Sequence, residues 1–242
     1  MLARQPRCHR TAPRRKSSSI DTGSQILKIC DSCVFVPTVQ HCADTTRAGR
    51  TLTLLSSQKS TQMFCGWIHV DGRPLNYPVV KARPDATYYL RHNFSGEESF
   101  HGAVTLGRGC EGTIGGRNTV LAAHGMRDWT MFRSIHALCS QEYLDTHATV
   151  LLLGSDGTYW RGTWFAAARF HGWSSWPEKT RFESDADFRT WLDWILDQNW
   201  LQTDVVPDTE SHILTCATCA MTEGEYDRRA LFAVAKRHEP PS

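Results

Sequence analysis

Three kinds of polar residue that can carry nucleophilic chemistry stand at the ends of apolar runs in this 242-residue chain. His124 follows one run, Cys219 ends the run that begins at Ile213, and Arg228 and Arg229 come directly before the last run. A cysteine can attack a carbonyl as a thiolate, a histidine can carry the proton, and an arginine can stabilise the negative oxygen that forms. Taken singly, each has an ordinary alternative as a turn histidine, a small buried cysteine or a solvated arginine.

The segment that ends at Cys219, written ILTCATC, holds a second cysteine, Cys216. An offset of three places the two side chains on opposite faces of a regular strand, so they would not point to one metal ion. A zinc site needs further ligands, and no other C-x-x-C pair lies beyond residue 62. The spacing therefore argues against a shared metal ion, and if Cys216 faces the core and Cys219 sits at the strand end, Cys219 is the cysteine with access to substrate.

The first part of the chain differs in charge and texture from the rest. Residues 1–60 carry ten Lys/Arg against three Asp/Glu, whereas the remainder is acidic in balance. We expect residues 1–62 to form a basic, disordered tail, with no nucleic-acid partner because aromatic residues are not interleaved with the basic ones. A zinc-binding regulatory module remains an alternative for this tail; its ligands would be Cys30, Cys33, His41 and Cys42.

From residue 63 onward, short β-prone runs alternate with Gly, Asp and Asn turns, which predicts a β-barrel or β-sandwich. Strands are expected near 66–70, 74–80, 88–90, 102–106, 118–123, 149–153, 158–170, 212–215 and 231–235. Between Ser184 and Trp200 the apolar residues instead follow a helical period, and Ser184 with Asp187 resembles a capping box. The sequence thus predicts an amphipathic helix inserted before the cysteine strand.

The order His, Cys, Arg, together with the segments around it, resembles the sortases, and within them class B. The resemblance extends over roughly residues 66–237, and its matching segments read GWIHVDG, NYPVV, YYL, NTVLAAHGM and LTCATC. In the last of these Cys216 stands where the family signature Thr-Leu-x-Thr-Cys has leucine. This likeness implies a closed eight-stranded sortase-type barrel for residues 63–240, with a long helix before the cysteine strand.

The resemblance also implies roles for individual residues. Cys219 matches the nucleophile and His124 the acid–base residue, and Arg229, ten residues after Cys219, is preferred to Arg228 as the oxyanion arginine. No cofactor is implied. The positions expected to contact substrate are Thr218, Ala217 and Asn118.

The activity implied is that of a cysteine transpeptidase that cleaves a sorting signal of the Asn-Pro-x-Thr type and joins the new carboxyl end to a cell-wall amine. Sorting-signal peptides and a peptidoglycan precursor amine would be the partners, at the outer face of a Gram-positive cell membrane. Residues 1–62 do not resemble the family's membrane anchor, so a misassigned start, a frameshifted upstream region or a remodelled fragment is expected. The alternatives are an inactive sortase-like peptide binder and a pilus-type sortase.

Overall fold

The computed structural model describes residues 63–70, 72, 75–85, 87–110, 112–171, 176–219 and 227–238, so the predicted tail and its candidate zinc ligands lie outside the described residues. Within this part, eight strands and three α-helices follow one another along the chain. In chain order they are β1 (Phe64–Val70), β2 (Leu75–Lys81), β3 (Val104–Leu106), β4 (Asn118–Ala122), α1 (Arg133–Leu138), α2 (Gln141–Thr146), β5 (Thr149–Gly154), β6 (Tyr159–His171), α3 (Asp185–Gln198), β7 (His212–Cys219) and β8 (Asp227–His238).

The strands close into a barrel in the order β1-β2-β3-β4-β7-β8-β6-β5. Most neighbours are antiparallel, but β2 pairs with β3, and β4 with β7, in parallel. Within the described residues, closure gives every strand a hydrogen-bonded neighbour on each side over part of its length. The predicted mainly β fold and the eight-stranded barrel are confirmed.

Helix α3 packs against the outside of the barrel. Its side chains Phe188, Trp191, Leu192 and Ile195 are fully buried, as the helical spacing of the apolar residues predicts. They join one apolar cluster with residues of β6, β7 and β8, among them Phe232. The Ser184 hydroxyl accepts a hydrogen bond from the backbone N–H of Asp187, which caps the first turn of the helix.

Two features of the backbone differ from the expectations. The run Tyr88–Leu90 forms a 3₁₀ turn and not a strand, because three apolar residues carry no period that separates the two structures. Helices α1 and α2 were not predicted, since each is six residues long and too short to show an amphipathic stripe. None of the helices in the described ranges is long and apolar enough to cross a lipid bilayer.

Candidate active site

The carboxyl ends of β4 and β7 meet at one edge of the barrel because these neighbouring strands run in parallel. Ala122, the last residue of β4, lies opposite Ala217 of β7. His124 follows two residues after Ala122, and Cys219 follows two residues after Ala217 as the last residue of its strand. The two segments stay close beyond the last strand pair, since a Cβ at Gly125, the residue after His124, would lie 3.5 Å from the Cys219 carbonyl oxygen. Strand β8 begins at the same edge, since it is antiparallel to β7.

The two cysteines of β7 have opposite environments. Cys216 is fully buried, whereas Cys219 is exposed. Burial raises the pKa of the Cys216 thiol far above its ordinary value, so this side chain is an uncharged core group. Among the residues that the structure describes, Cys219 is the one exposed cysteine; the buried ones are Cys65, Cys110, Cys139 and Cys216.

His124 is held between two loops. Its Nε2 lies 2.9 Å from the carbonyl oxygen of Leu90. A carbonyl only accepts hydrogen bonds, so Nε2 carries the hydrogen and Nδ1 is the other ring nitrogen. Gly102, with φ of 66°, packs against the ring: a Cβ there would lie 2.3 Å from the Tyr89 carbonyl oxygen and 3.3 Å from Cδ2 of His124. A side chain at this position would therefore displace the loop that orients the imidazole.

The β7–β8 register separates the two arginines. Cys219 lies opposite Arg228, and Thr218 lies opposite Arg229. Residues directly opposite on antiparallel strands share a face, so Arg228 emerges on the face of Cys219 and Arg229 on the other. The apolar cluster under α3 agrees with this arrangement. It contains Ala217 and Ala230, which lie two positions from Cys219 and Arg228 on their strands and therefore on the same face.

The charge environments of the arginines also differ. Arg228 lies 3.9 Å from a carboxylate oxygen of Glu178, whose pKa is raised by burial and lowered by this arginine. Arg229 has a buried Nε without a hydrogen-bond partner, and no ion pair within the described ranges. Its positive charge acts on two groups of the α1 region, the imidazole of His136 and the thiol of Cys139. The spacing of ten residues from Cys219, which matches the class B sortases, thus favours Arg229 as the oxyanion arginine. The β7–β8 register favours Arg228, because that arginine shares a face with Cys219.

The three residues expected to contact substrate are all buried, with exposures of 2% for Thr218, 1% for Ala217 and 2% for Asn118. The Thr218 hydroxyl donates to the carbonyl oxygen of Ala123, which ties the residue before Cys219 to the residue before His124. Thr218 therefore supports the site from within the barrel wall.

The structure does not bring Asn118 to this edge. It is the first residue of β4, six positions before His124, which corresponds to roughly 20 Å along a strand. Its side-chain oxygen accepts from the Thr215 hydroxyl, and its Nδ2 donates to the Lys179 carbonyl. With both ends of the amide engaged inside the protein, Asn118 has a structural role in place of the expected substrate contact.

His136, on α1, was not singled out in the sequence. Its Nε2 lies 2.7 Å from the carbonyl oxygen of Cys219, although 83 positions separate the two residues. A histidine on a six-residue helix carries no recognisable motif, so sequence reasoning had no signal for this contact. No group of three or more His, Cys, Asp or Glu side chains suited to a metal ion occurs in the part of the chain that the structure describes.

No protein-family model matches the chain. Sortase B of Listeria monocytogenes is 24% identical over 184 residues, which cover 74% of this chain and 71% of that protein. Sortase B of Staphylococcus aureus is 27% identical over 181 residues, which cover 75% of this chain and 72% of that protein.

Solved structures show the same fold. A Staphylococcus aureus sortase B–substrate complex superimposes with a TM-score of 0.68 and 22% identity, over 79% of this chain and 94% of that one. A Bacillus anthracis protein described as similar to sortase B gives a TM-score of 0.69 and 24% identity, over 78% and 83% of the two chains. The predicted similarity to class B sortases is thereby confirmed, and with it the expectation of a sortase-type cysteine transpeptidase.

Proposed function

From this similarity we propose that the protein cleaves a C-terminal sorting signal of the Asn-Pro-x-Thr type through a thioester and transfers the acyl group to a cell-wall amine. The observation that supports the proposal is the parallel pairing of β4 and β7: His124 and the exposed Cys219 each follow two residues after the Ala122–Ala217 pair at one edge of the barrel. A nucleophile and an acid–base residue at one accessible edge are the minimum set for acyl transfer.

The first half-reaction begins with attack of the Cys219 sulfur, as a thiolate, on the carbonyl carbon of the scissile peptide bond. The tetrahedral intermediate collapses as the carbon–nitrogen bond breaks, and His124, as imidazolium, gives its proton to the departing amine. The product is an acyl thioester on Cys219. Because Nε2 of His124 is held by the Leu90 carbonyl, Nδ1 is the nitrogen that exchanges this proton.

The second half-reaction uses the same groups in reverse. An incoming amine attacks the thioester carbonyl, neutral His124 takes a proton from that amine, and the thiolate of Cys219 leaves. In both halves the carbonyl oxygen becomes negative and needs a cation or hydrogen-bond donor. We assign this role to Arg229, whose family spacing and lack of a carboxylate partner within the described part of the chain support the choice; Arg228 contacts Glu178.

The proposed partners follow from this chemistry. A sorting-signal peptide supplies the acyl group, and a peptidoglycan precursor supplies the amine. Both reside in the cell envelope, so we place the enzyme at the outer face of a Gram-positive cell membrane. The organisms of the two similar sortase B proteins support this placement, since both are Gram-positive bacteria.

The test is a peptide with an Asn-Pro-x-Thr motif, labelled at both ends, incubated with and without hydroxylamine. The wild type should release the carboxyl-terminal label, form an acyl-enzyme on the tryptic peptide that contains Cys219, and give a hydroxamate when hydroxylamine is present. Cys219→Ala should abolish all three signals. A wild type that retains the peptide without cleaving it would contradict the proposal and identify a peptide-binding protein.

The two arginines form a matched pair for the oxyanion role. Loss of an oxyanion donor lowers kcat by about 100- to 1000-fold, so Arg229→Ala should show a decrease of this size. Arg228→Ala should have a much smaller effect, because its charge is balanced by Glu178. If Arg228→Ala is the more damaged variant, the assignment passes to Arg228, in agreement with the strand register.

A further inference from the structure

The carbonyl of Cys219 points toward a strand that has already ended. Two residues earlier, the Ala217 carbonyl faces β4 and accepts from the N–H of Ala123 at 3.4 Å. Carbonyl directions repeat every two residues along a strand, so the Cys219 carbonyl faces the same side. Strand β4 stops at Ala122, and the imidazole of His136 supplies the donor instead, with Nε2 2.7 Å from the oxygen.

The electrostatic surroundings favour a neutral His136. Burial lowers its pKa most, the hydrogen bond with the Cys219 carbonyl raises it, and the positive charges of Arg229 and Arg133 lower it. A neutral imidazole has one N–H, and because a carbonyl only accepts, that hydrogen must reside on Nε2. The contact therefore selects one tautomer and adds no further positive charge beside Arg229.

Gly125, the residue after His124, closes this contact from the other side. A Cβ at position 125 would lie 3.1 Å from the Thr218 hydroxyl, 3.5 Å from the Cys219 carbonyl oxygen and 3.5 Å from Nε2 of His136. The backbone after His124, the end of β7 and the His136 ring thus lie so close together that a methyl group added at position 125 would contact both of the latter. This packing links the orientation of the cysteine to the turn that carries the histidine.

We infer that His136 is a positioning residue, which replaces the missing β4 ladder partner and fixes the last peptide group of β7 so that the Cys219 sulfur is aligned for attack. The inference rests on the proposed function, because it concerns the nucleophile of that reaction. A thiolate must approach a carbonyl within a narrow range of distance and angle, and a small misalignment lowers the rate even when the thiol is intact.

The test compares wild type, His136→Ala, His136→Gln and the control His147→Ala. Glutamine restores an N–H donor without a titratable ring. His147 contacts its own helix through Tyr143 and Thr146, so it serves as a histidine outside the site. His136→Ala should lower kcat by roughly 2- to 13-fold, the range for one lost hydrogen bond, with KM little changed. His136→Gln should recover most of the rate.

Two measurements separate positioning from general damage. Alkylation of Cys219 by iodoacetamide, followed by mass spectrometry of its tryptic peptide, needs no alignment and should stay within about twofold in all variants. Nitrogen NMR of the wild type should show the Nε2-protonated tautomer of His136. Wild-type kcat in His136→Ala, or equal losses in the alanine and glutamine variants with equal losses of thermal stability, would overturn the inference. If the wild type cleaves no peptide, the proposed function fails, while the tautomer still decides whether the contact exists.

Discussion

Acidification should destabilise the protein through His212, the first residue of β7. Nε2 of this histidine lies 3.1 Å from the Thr119 hydroxyl, and its ring stacks on Trp160 with centroids 4.3 Å apart. Burial lowers the pKa of His212 from 6.5 to about 4, against a smaller opposing effect of a hydrogen bond with the Gly116 backbone. The folded protein therefore holds this imidazole neutral at a pH where the unfolded chain would protonate it.

The direction and the size of the expected change in unfolding free energy follow from proton linkage. The unfolded chain binds more protons between the two pKa values, so stability is complete above about pH 6.5 and falls as the pH is lowered toward 4. At pH 4.5 a single group with these two pKa values would cost about 2.5 kcal/mol of unfolding free energy, an upper figure because the ring is only partly buried.

The assay is urea unfolding of wild type and His212→Phe at several pH values between 7.5 and 4.5. Phenylalanine keeps the stacking partner of Trp160 and removes the titration, although it loses the hydrogen bond with Thr119. That loss lowers stability equally at every pH, whereas the histidine contribution appears only as a steeper decline in the wild type. The other acidic groups titrate in both proteins, so their effects on the unfolding free energy cancel in the comparison. Parallel stability curves would refute the reasoning and show that His212 is protonated as easily in the folded as in the unfolded state.

Three further changes test the packing around the site. Trp191→Ala should lower the free energy of unfolding in urea by about 3–5 kcal/mol, because its ring is fully buried between α3 and the barrel; a change below about 1 kcal/mol would place it on the surface. Cys216→Leu should keep most peptide cleavage but lose about 1–3 kcal/mol by overpacking, and loss of cleavage in a folded variant would revive a paired-cysteine mechanism. Thr218→Val should lose about 1–3 kcal/mol by leaving the Ala123 carbonyl unpaired, and Thr218→Ser should recover it; equal stability of the valine and serine variants would show that the hydroxyl is dispensable.

The spacing of apolar residues along the sequence was enough to predict burial where a single helix or strand buries one of its faces. The helical spacing of Phe188, Trp191, Leu192, Ile195 and Leu196 predicted a helix with one buried stripe; the first four side chains are buried and Leu196 is partly buried. Strand alternation likewise predicted that Cys216 and Cys219 lie on opposite faces, and the structure buries Cys216 and exposes Cys219. In both cases burial depends on the position of a residue within its own element, and that position can be counted along the chain.

Contacts between elements that are far apart in the chain could not be predicted from spacing within one element. Asn118 was expected near substrate, but its buried amide bonds Thr215 and Lys179, which lie 97 and 61 positions away. The contact between His136 and the Cys219 carbonyl depends on how α1 rests against β7, and no local pattern encodes that docking. The choice between Arg228 and Arg229 turns on a register between two strands, where a slip of one residue exchanges their faces.

The position of β8 in the barrel has a consequence for folding. Although it is the last strand described, it lies between β6 and β7 and pairs with both. Until it docks, each of those strands presents an unpaired edge, which is an aggregation hazard during synthesis on the ribosome. The parallel β4–β7 pair likewise joins segments about 95 positions apart, so its loop-closure entropy is large. The edge that carries His124 and Cys219 is therefore expected to assemble late, after most of the barrel has formed.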